Sequence, residues 1–340
     1  MATIKDVAAL AGISYTTVSH VLNKTRPVSE PVRLKVEAAI VELDYVPSAV
    51  ARSLKAKSTA TIGLLVPNST NPYFAELARG IEDHCARNGY CVILCNSDDN
   101  PDKQRSYLRV LLEKRVDGLI VASVGADHDL LSSLAAVRTP MVVVDRALEG
   151  VATDLVCIDH ELGGYLATLH LLELGHRDIA CISGPSSTSV AQMRLAGYRR
   201  AMAEFELDVV PERVVESDFT GQGGYEAAGL LLDGHPPTAI FAANDLIGMG
   251  VLRAAAERNI RVPGALSVIG FDDIQLCRYV YPALTTVGQS IQVLGELAAE
   301  RLLGRVTGAV KEGALQHIVP PQIILRESTA PRTDLFNEYR

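Results

Sequence analysis

The apolar positions of this chain change period at about residue 60. Before it they recur every three or four residues, the spacing of helices with one buried face. After it, short unbroken apolar runs alternate with amphipathic stretches, the pattern of buried parallel strands joined by helices.

In the first part, Thr3 can cap a helix over Ile4–Ala11, with Asp6 placed to answer it and Ile4, Val7, Ala8 and Ala11 on one face. Gly12-Ile13-Ser14 is a tight break, and Ser14 can cap a second helix, Tyr15–Asn23. Its Val18, Val21 and Leu22 face inward; Tyr15, Thr16 and His20 face out. Ser29 starts a third helix, Pro31 to Asp44, whose Val32, Val36, Ile40 and Leu43 close a small core. A helix, a short turn with glycine and a second helix with a polar outer face make a helix-turn-helix. Three short helices also make a plain scaffold, and pattern alone leaves both open.

Tyr45-Val46-Pro47 stops the third helix, because the residue before a proline is pushed out of the α region. Ser48 can cap a short helix reading AVARSLKA, with one large apolar residue, Leu54, and the cations Arg52, Lys55 and Lys57 close by. So short a helix is marginal alone in water. Small faces, one apolar wedge and flanking cations suit a helix pressed into a DNA minor groove; a solvated linker is the plain alternative.

In the second part, Ile62–Val66, Cys91–Cys95, Gly118–Ala122, Met141–Val144 and Val156–Ile158 read as buried strands, followed by Ile179–Ser183, Val214–Glu216, Thr238–Ala242 and Leu266–Gly270. Helical stretches lie between or after them, which predicts two doubly wound α/β units.

The formal net charge of −8 argues against a nucleic-acid partner, but its placement does not. Residues 1–60 hold eight Lys/Arg and five Asp/Glu, net +3, which leaves 24 against 35, net −11, in the remainder. A basic head on an acidic body suits a tethered reader of nucleic acid. The six cysteines form no C-x-x-C pair and read as buried, reduced thiols. No signal-peptide core and no run of about 18 apolar residues is present, which predicts a cytoplasmic protein without a membrane span.

The run ATIKDVAALAGISYTTVSHVLNKTRPVSEPVRLKVEAAIVELDYVPSAVARSLKAKSTATIGLL resembles the N-terminus of the lactose/galactose repressor (LacI/GalR) family of bacterial transcription regulators, hinge helix included. The resemblance implies an α/β protein with a helix-turn-helix head (1–46), a hinge helix and linker (47–60) and a two-lobed, periplasmic-binding-protein-like body of doubly wound parallel sheets (61–330). It implies lobes interrupted in sequence, about 61–160 plus 291–318 and about 161–290 plus 319–330, and a homodimer on a near-palindromic operator. Tyr15, Thr16 and His20 match base-reading positions in the major groove; Thr3, Thr17, Ser19 and Asn23 would hold phosphates. Ala51 and Leu54 match the minor-groove pair, with Lys55 beside them.

In doubly wound sheets, ligands sit beyond the carboxyl ends of strands. Those exits carry Asn71, Tyr73 and Phe74; Asp145 and Arg146; Arg194; Phe219; Asn244; Asp272; and Gln289. Carboxylates accept, and Arg and amides donate, the hydrogen bonds that sugar hydroxyls need, while aromatic faces cover the ring. These ten residues resemble the sugar-touching set of the periplasmic ribose-binding proteins, with Tyr73 where Phe is usual. Singly, each has a plainer role: a strand-end Asp is often a helix cap, and Tyr73 or Phe74 a core residue.

The resemblance therefore implies a repressor released from its operator by a small sugar, D-ribose first. A purine-responsive repressor is the alternative, with hypoxanthine or guanine as corepressor. RVDGL, RLAGY, YPALTT and the terminal FNEYR resemble it as closely, whereas Arg146 stands where purine sites of the family place an aromatic ring. A sugar-processing enzyme, the alternative of another class, would need a tuned pair of carboxylates, and no nucleophile–base arrangement stands out. Gly221-Gln222-Gly223-Gly224 lacks the phosphate-loop pattern and reads as a helix start. His170 and His176 lack metal-site spacing, so no metal and no cofactor is expected.

Overall fold

A computed structural model describes residues 2–23, 25–46, 58–122, 128–148 and 150–332. The chain forms two compact units, Met1–Thr59 and Ala60–Arg340.

The first unit holds α1 (Ile4–Ala11), α2 (Tyr15–Asn23) and α3 (Glu30–Glu42). Thr3 and Asp6 make a complete capping box: the Thr3 N–H donates to Asp6 Oδ2 at 2.7 Å and the Asp6 N–H to Thr3 Oγ1 at 3.4 Å. Gly12, at φ +67°, takes the left-handed turn that ends α1. The core is Val7, Ala8, Val18, Val36 and Ala39. Two expectations shift here. The third helix begins at Glu30, and Ser29 makes no side-chain cap bond. Val32 is only half-buried and stands outside the core, whereas Ala39, too small to stand out in an apolar pattern, belongs to it.

The second unit is built on two six-stranded sheets. The first has the order β11-β5-β4-β3-β1-β2, from β1 (Thr61–Val66), β2 (Cys91–Asn96), β3 (Gly118–Ala122), β4 (Met141–Val144), β5 (Asp154–Ile158) and β11 (Gln316–Val319). The second has the order β12-β10-β9-β8-β6-β7, from β6 (Ile179–Ser183), β7 (Val214–Glu216), β8 (Ala239–Ala242), β9 (Ser267–Asp272), β10 (Thr285–Gly288) and β12 (Gln322–Ile324). Every pairing is parallel except β10 with β12.

The unbroken apolar runs follow from burial on both faces. In the first sheet Ile62, Leu64, Ile120, Val142 and Val156 join a core with Leu77 and Ile81 of α4 (Pro72–Arg87), while Leu65, Leu119, Val121, Val143 and Leu155 join another with Leu108 and Leu111 of α5 (Pro101–Glu113). After α6 (His128–Ala135) come α7 (His160–Glu173), α8 (Ser189–Glu204), α9 (Gly221–Leu232), α10 (Asp245–Glu257) and α11 (Ile291–Val306). Helices α7 to α10 pack on the second sheet; α11 returns to α4 and the first. The chain therefore passes between the sheets three times, after β5, after β10 and between β11 and β12.

The cysteines are unpaired and five of them are buried; Cys91, on the edge strand β2, is exposed, against expectation. An edge strand leaves one flank open to solvent, which an apolar run alone does not reveal.

Candidate effector cleft and nucleic-acid interface

The carboxyl ends of both sheets frame a cavity of about 300 Å³. Nine of the ten exit residues line it: Asn71, Tyr73, Phe74, Asp145, Arg146, Arg194, Phe219, Asn244 and Asp272. Gln289 does not. It is buried behind Asp272, and its Nε2 donates to Asp272 Oδ1 at 2.5 Å, so it holds a lining carboxylate instead of lining the cavity itself.

Local structure fixes each group. Asn71 caps α4, its side chain accepting from the Tyr73 N–H at 3.0 Å, and Pro72 occupies the first turn. Asn244 caps α10 in the same way, accepting from the Ile247 N–H at 2.8 Å, and its Nδ2 donates to Phe219 O at 3.0 Å. Both amides thus spend their oxygen on a helix, and what they have left for a ligand is N–H. Asp145 accepts from the Tyr73 hydroxyl. It sits at φ +80° on the turn after β4, and Phe219 and Asp272 also take positive φ, at +64° and +120°. Such conformations are held only where the surroundings over-determine them, commonly at functional sites. Gly184 makes room for one of them: a Cβ there would stand 2.0 Å from the Phe219 ring.

Arg194, on α8, is pinned from several sides. Its Nη1 donates to Ala243 O at 2.5 Å, its Nη2 lies 3.4 Å from Asp272 Oδ1, and its guanidinium stacks 3.7 Å from the centre of the Phe271 ring. Across the cavity, the Tyr73 hydroxyl donates to Asp145 Oδ1 at 3.3 Å. Burial pushes the Asp272 carboxyl well above the usual carboxylate range, against the pull of Arg194. Burial, then the Asp145 and Asp272 charges, raises the Tyr73 hydroxyl as well. These two groups therefore stay protonated more readily than in water, and both can donate as well as accept.

Several polar residues of the site lay outside the ten expected, Thr188 and Thr220 among them; two titratable ones bear on the chemistry. Asp99, beyond β2, lines the cavity; burial raises its carboxyl while Arg146 pulls it down. His160, the first residue of α7, is buried between Asp145 and Arg194. Both stand at strand exits, those of β2 and β5, the same place in the chain order as the other site residues.

On the head, Tyr15 is 54% exposed at the start of α2, beside exposed Thr16. Ser14 Oγ accepts from the Thr17 N–H at 3.2 Å and caps that helix. Thr25 Oγ1 lies 2.7 Å from His20 Nδ1, and Asn23 Nδ2 donates to Ser19 O at 2.9 Å, so these polar groups are held on the outer face rather than loose. Thr3 is exposed at the start of α1. Ala51, Leu54 and Lys55, with the expected hinge helix, lie outside the described residues. Among the described residues there is no group of three or more His, Cys, Asp or Glu able to hold a metal ion, and no helix long and apolar enough to cross a membrane.

A helix-turn-helix head followed by a two-lobed receptor body defines the class of ligand-gated DNA-binding regulators. Residues 3–48 match the family described as bacterial regulatory proteins, lacI family, and residues 168–329 match the periplasmic binding protein-like domain. The HTH-type transcriptional repressor PurR of Serratia proteamaculans is 47% identical over 343 residues, covering 100% of both chains. The Lac repressor dimer bound to operator and the anti-inducer ONPF superposes with a TM-score of 0.86 at 31% identity, over 97% of this chain and 99% of that one. A LacI family transcriptional regulator from Enterococcus faecium with bound ribose gives 0.73 at 36% identity, over 80% of this chain and 100% of that one. The chain belongs to the LacI family and is a DNA-binding transcriptional repressor, not an enzyme.

Proposed function

We propose that this repressor is gated by a small polyhydroxylated ligand, a pentose such as D-ribose, held in the cleft between the two sheets. The observation that carries this is the lining itself: Asp145 and Arg146 from one sheet, with Arg194, Asp272 and Asn244 from the other. Alternating donors and acceptors fit a ring of hydroxyls, each of which donates and accepts. Phe74 and Phe219 offer apolar area for the ring's C–H faces. The ribose-bound relative supports the same reading.

A purine ligand is the second reading, and similarity over the whole chain favours it over the sugar, because the full-length relatives carry the name PurR. Tyr73, Phe74 and Phe219 also offer ring faces to a planar base. Whole-chain identity counts every position, whereas ligand choice rests on the few that line the cavity. Arg146 and the acidic lining residues are what speak for the sugar. The two readings predict opposite regulation: the sugar releases the operator, the purine tightens it.

On either reading Tyr15, Thr16 and His20 read bases, Thr3, Thr17, Ser19 and Asn23 hold phosphates, and Ala51, Leu54 and Lys55 enter the minor groove of an operator bound by a homodimer in the cytoplasm. Ligand and operator affinities are coupled reciprocally, by about 5–150-fold in typical cases.

Thermal unfolding with ribose, allose, fructose, hypoxanthine and guanine in turn tests the proposal. A true ligand at about 100 times its dissociation constant adds roughly 2.7 kcal/mol of stability. Ribose should raise the midpoint. A shift with hypoxanthine or guanine alone would establish the purine reading in its place.

A further inference from the structure

The buried polar groups around the cavity form one continuous relay. The Tyr73 hydroxyl donates to Asp145 Oδ1 at 3.3 Å. His160 Nε2 lies 3.0 Å from Asp145 O and 3.3 Å from its Oδ1. On the other side of the ring, Arg194 Nε and Nη2 each lie 3.4 Å from His160 Nδ1. Arg194 then meets Asp272 at 3.4 Å, and Asp272 meets Gln289 at 2.5 Å. An arginine only donates, so Nδ1 accepts and the ring proton stays on Nε2, facing the Asp145 carbonyl.

The places of these residues in the chain give the relay a direction. Tyr73 and Asp145 belong to the first sheet and its helices, Arg194 and Asp272 to the second. His160 stands at the first passage between the sheets and Gln289 at the second. His160 is therefore the one described residue of the relay that bonds lining residues of both sheets, and it does so without lining the cavity itself. Its ring position is fixed by packing. Helices α7 and α8 approach so closely that a Cβ on Gly164 would stand 2.1 Å from Arg194 O, and one on Gly197 2.1 Å from Glu161 O. The Phe271 ring lies beneath both His160, with centres 6.1 Å apart, and Arg194.

We infer that His160 is a positioning residue that locks Arg194 to Asp145 across the two lobes, so that filling the cavity is converted into a set angle between them. This rests on the cleft being the effector site. When a ligand draws Arg194 or Asp145 inward, the imidazole passes that displacement to the other sheet at the strand-to-helix passage where the lobes join.

The two ring nitrogens can be tested apart. In His160→Asn the side-chain amide sits near the former Nδ1 and keeps a partner for Arg194 while losing reach to Asp145. In His160→Gln the amide sits near the former Nε2 and keeps Asp145 while losing Arg194. Each full-length variant and the wild type are titrated calorimetrically with D-ribose and with hypoxanthine, then with operator DNA in the absence and presence of the ligand that binds. Both variants should hold operator alone as the wild type does. His160→Gln should lose about tenfold or more in ligand affinity, the size of one hydrogen bond to a charged group. His160→Asn should retain most of the affinity, yet its ligand-induced change in operator affinity should collapse towards onefold. Variants with wild-type ligand affinity and wild-type coupling overturn the inference, as does a lowered unfolding midpoint with coupling intact, the mark of a merely structural residue. If the glutamine variant does not fold, the asparagine variant decides. A wild type that binds neither ligand removes the cleft reading and this inference with it, a result distinct from variants that bind like the wild type.

Discussion

Asp154 and Asp272 are both buried aspartates set against arginine, and burial acts on them with opposite outcomes. At the start of β5, Asp154 meets Arg305 at 2.7 Å and Arg301 at 3.2 Å, and accepts the Leu315 N–H at 2.8 Å. Burial works against its charge, but the two guanidiniums and the backbone N–H outweigh it and hold the carboxyl down at about 2. In the cleft, Asp272 meets a single arginine at 3.4 Å, and burial wins. The first cluster is closed on itself and ties α11 and the loop before β11 to the sheet. The second leaves its charges under-compensated, as a site must if a ligand is to complete it.

The sharpest way to break this comparison is at Arg194. Arg194→Ala should weaken effector binding by about 100-fold, the upper range for a lost bond to a charged group, with operator affinity in the absence of effector retained; calorimetry and an operator titration measure both. Next is Asp154→Asn. It leaves two guanidiniums without their anion and should cost about 3 kcal/mol of stability, read from denaturant unfolding, with effector affinity unchanged. If that affinity fell in step, the two clusters would not be separate.

Acid titration sharpens the contrast. The folded pKa of Asp154 lies below its unfolded value, so its contribution is complete above about pH 4 and disappears as pH falls towards about 2; it amounts to about 2 kcal/mol. Asp272 has the opposite sign, contributing below the unfolded pKa and losing that contribution as pH rises. Asp272→Asn should therefore raise the thermal midpoint at pH 7 while weakening the effector. The smallest effect is expected from Tyr73→Phe. One long hydroxyl bond to Asp145 is lost, and effector affinity should change by about threefold or less. A larger change would place the hydroxyl on the ligand itself.

Most of the body was legible because strands buried on both faces are written as unbroken apolar runs, and Gly118–Ala122, Met141–Val144, Ile179–Ser183 and Val214–Glu216 stand where those runs place them. The cleft was legible because ligand groups gather at strand exits. Periodicity does not report which strands neighbour one another, so the return of α11 to the first sheet came only from the family resemblance. Gln289 shows a second limit: the chain order puts it at an exit, but only the fold puts Asp272 in front of it. His160, at the exit of β5, could be placed by the chain order but not paired by it. Nothing in the string Ile158-Asp159-His160 says that an arginine on the next helix will approach its ring.

The last passage of the chain between the sheets has a consequence for how the repressor is made. Strand β11 closes the edge of one sheet and β12 the edge of the other, and the segment beyond β12 is stitched down by the Ser328 hydroxyl donating to Val268 O at 2.6 Å and by the Arg332 N–H donating to Leu174 O at 2.8 Å. Domains commonly fold in order as they leave the ribosome. Here neither lobe can finish its sheet until residues 316–324 have emerged, so both mature together and late. A nascent chain stalled before that point would carry the three helices of the first unit ahead of two sheets that each lack an edge strand.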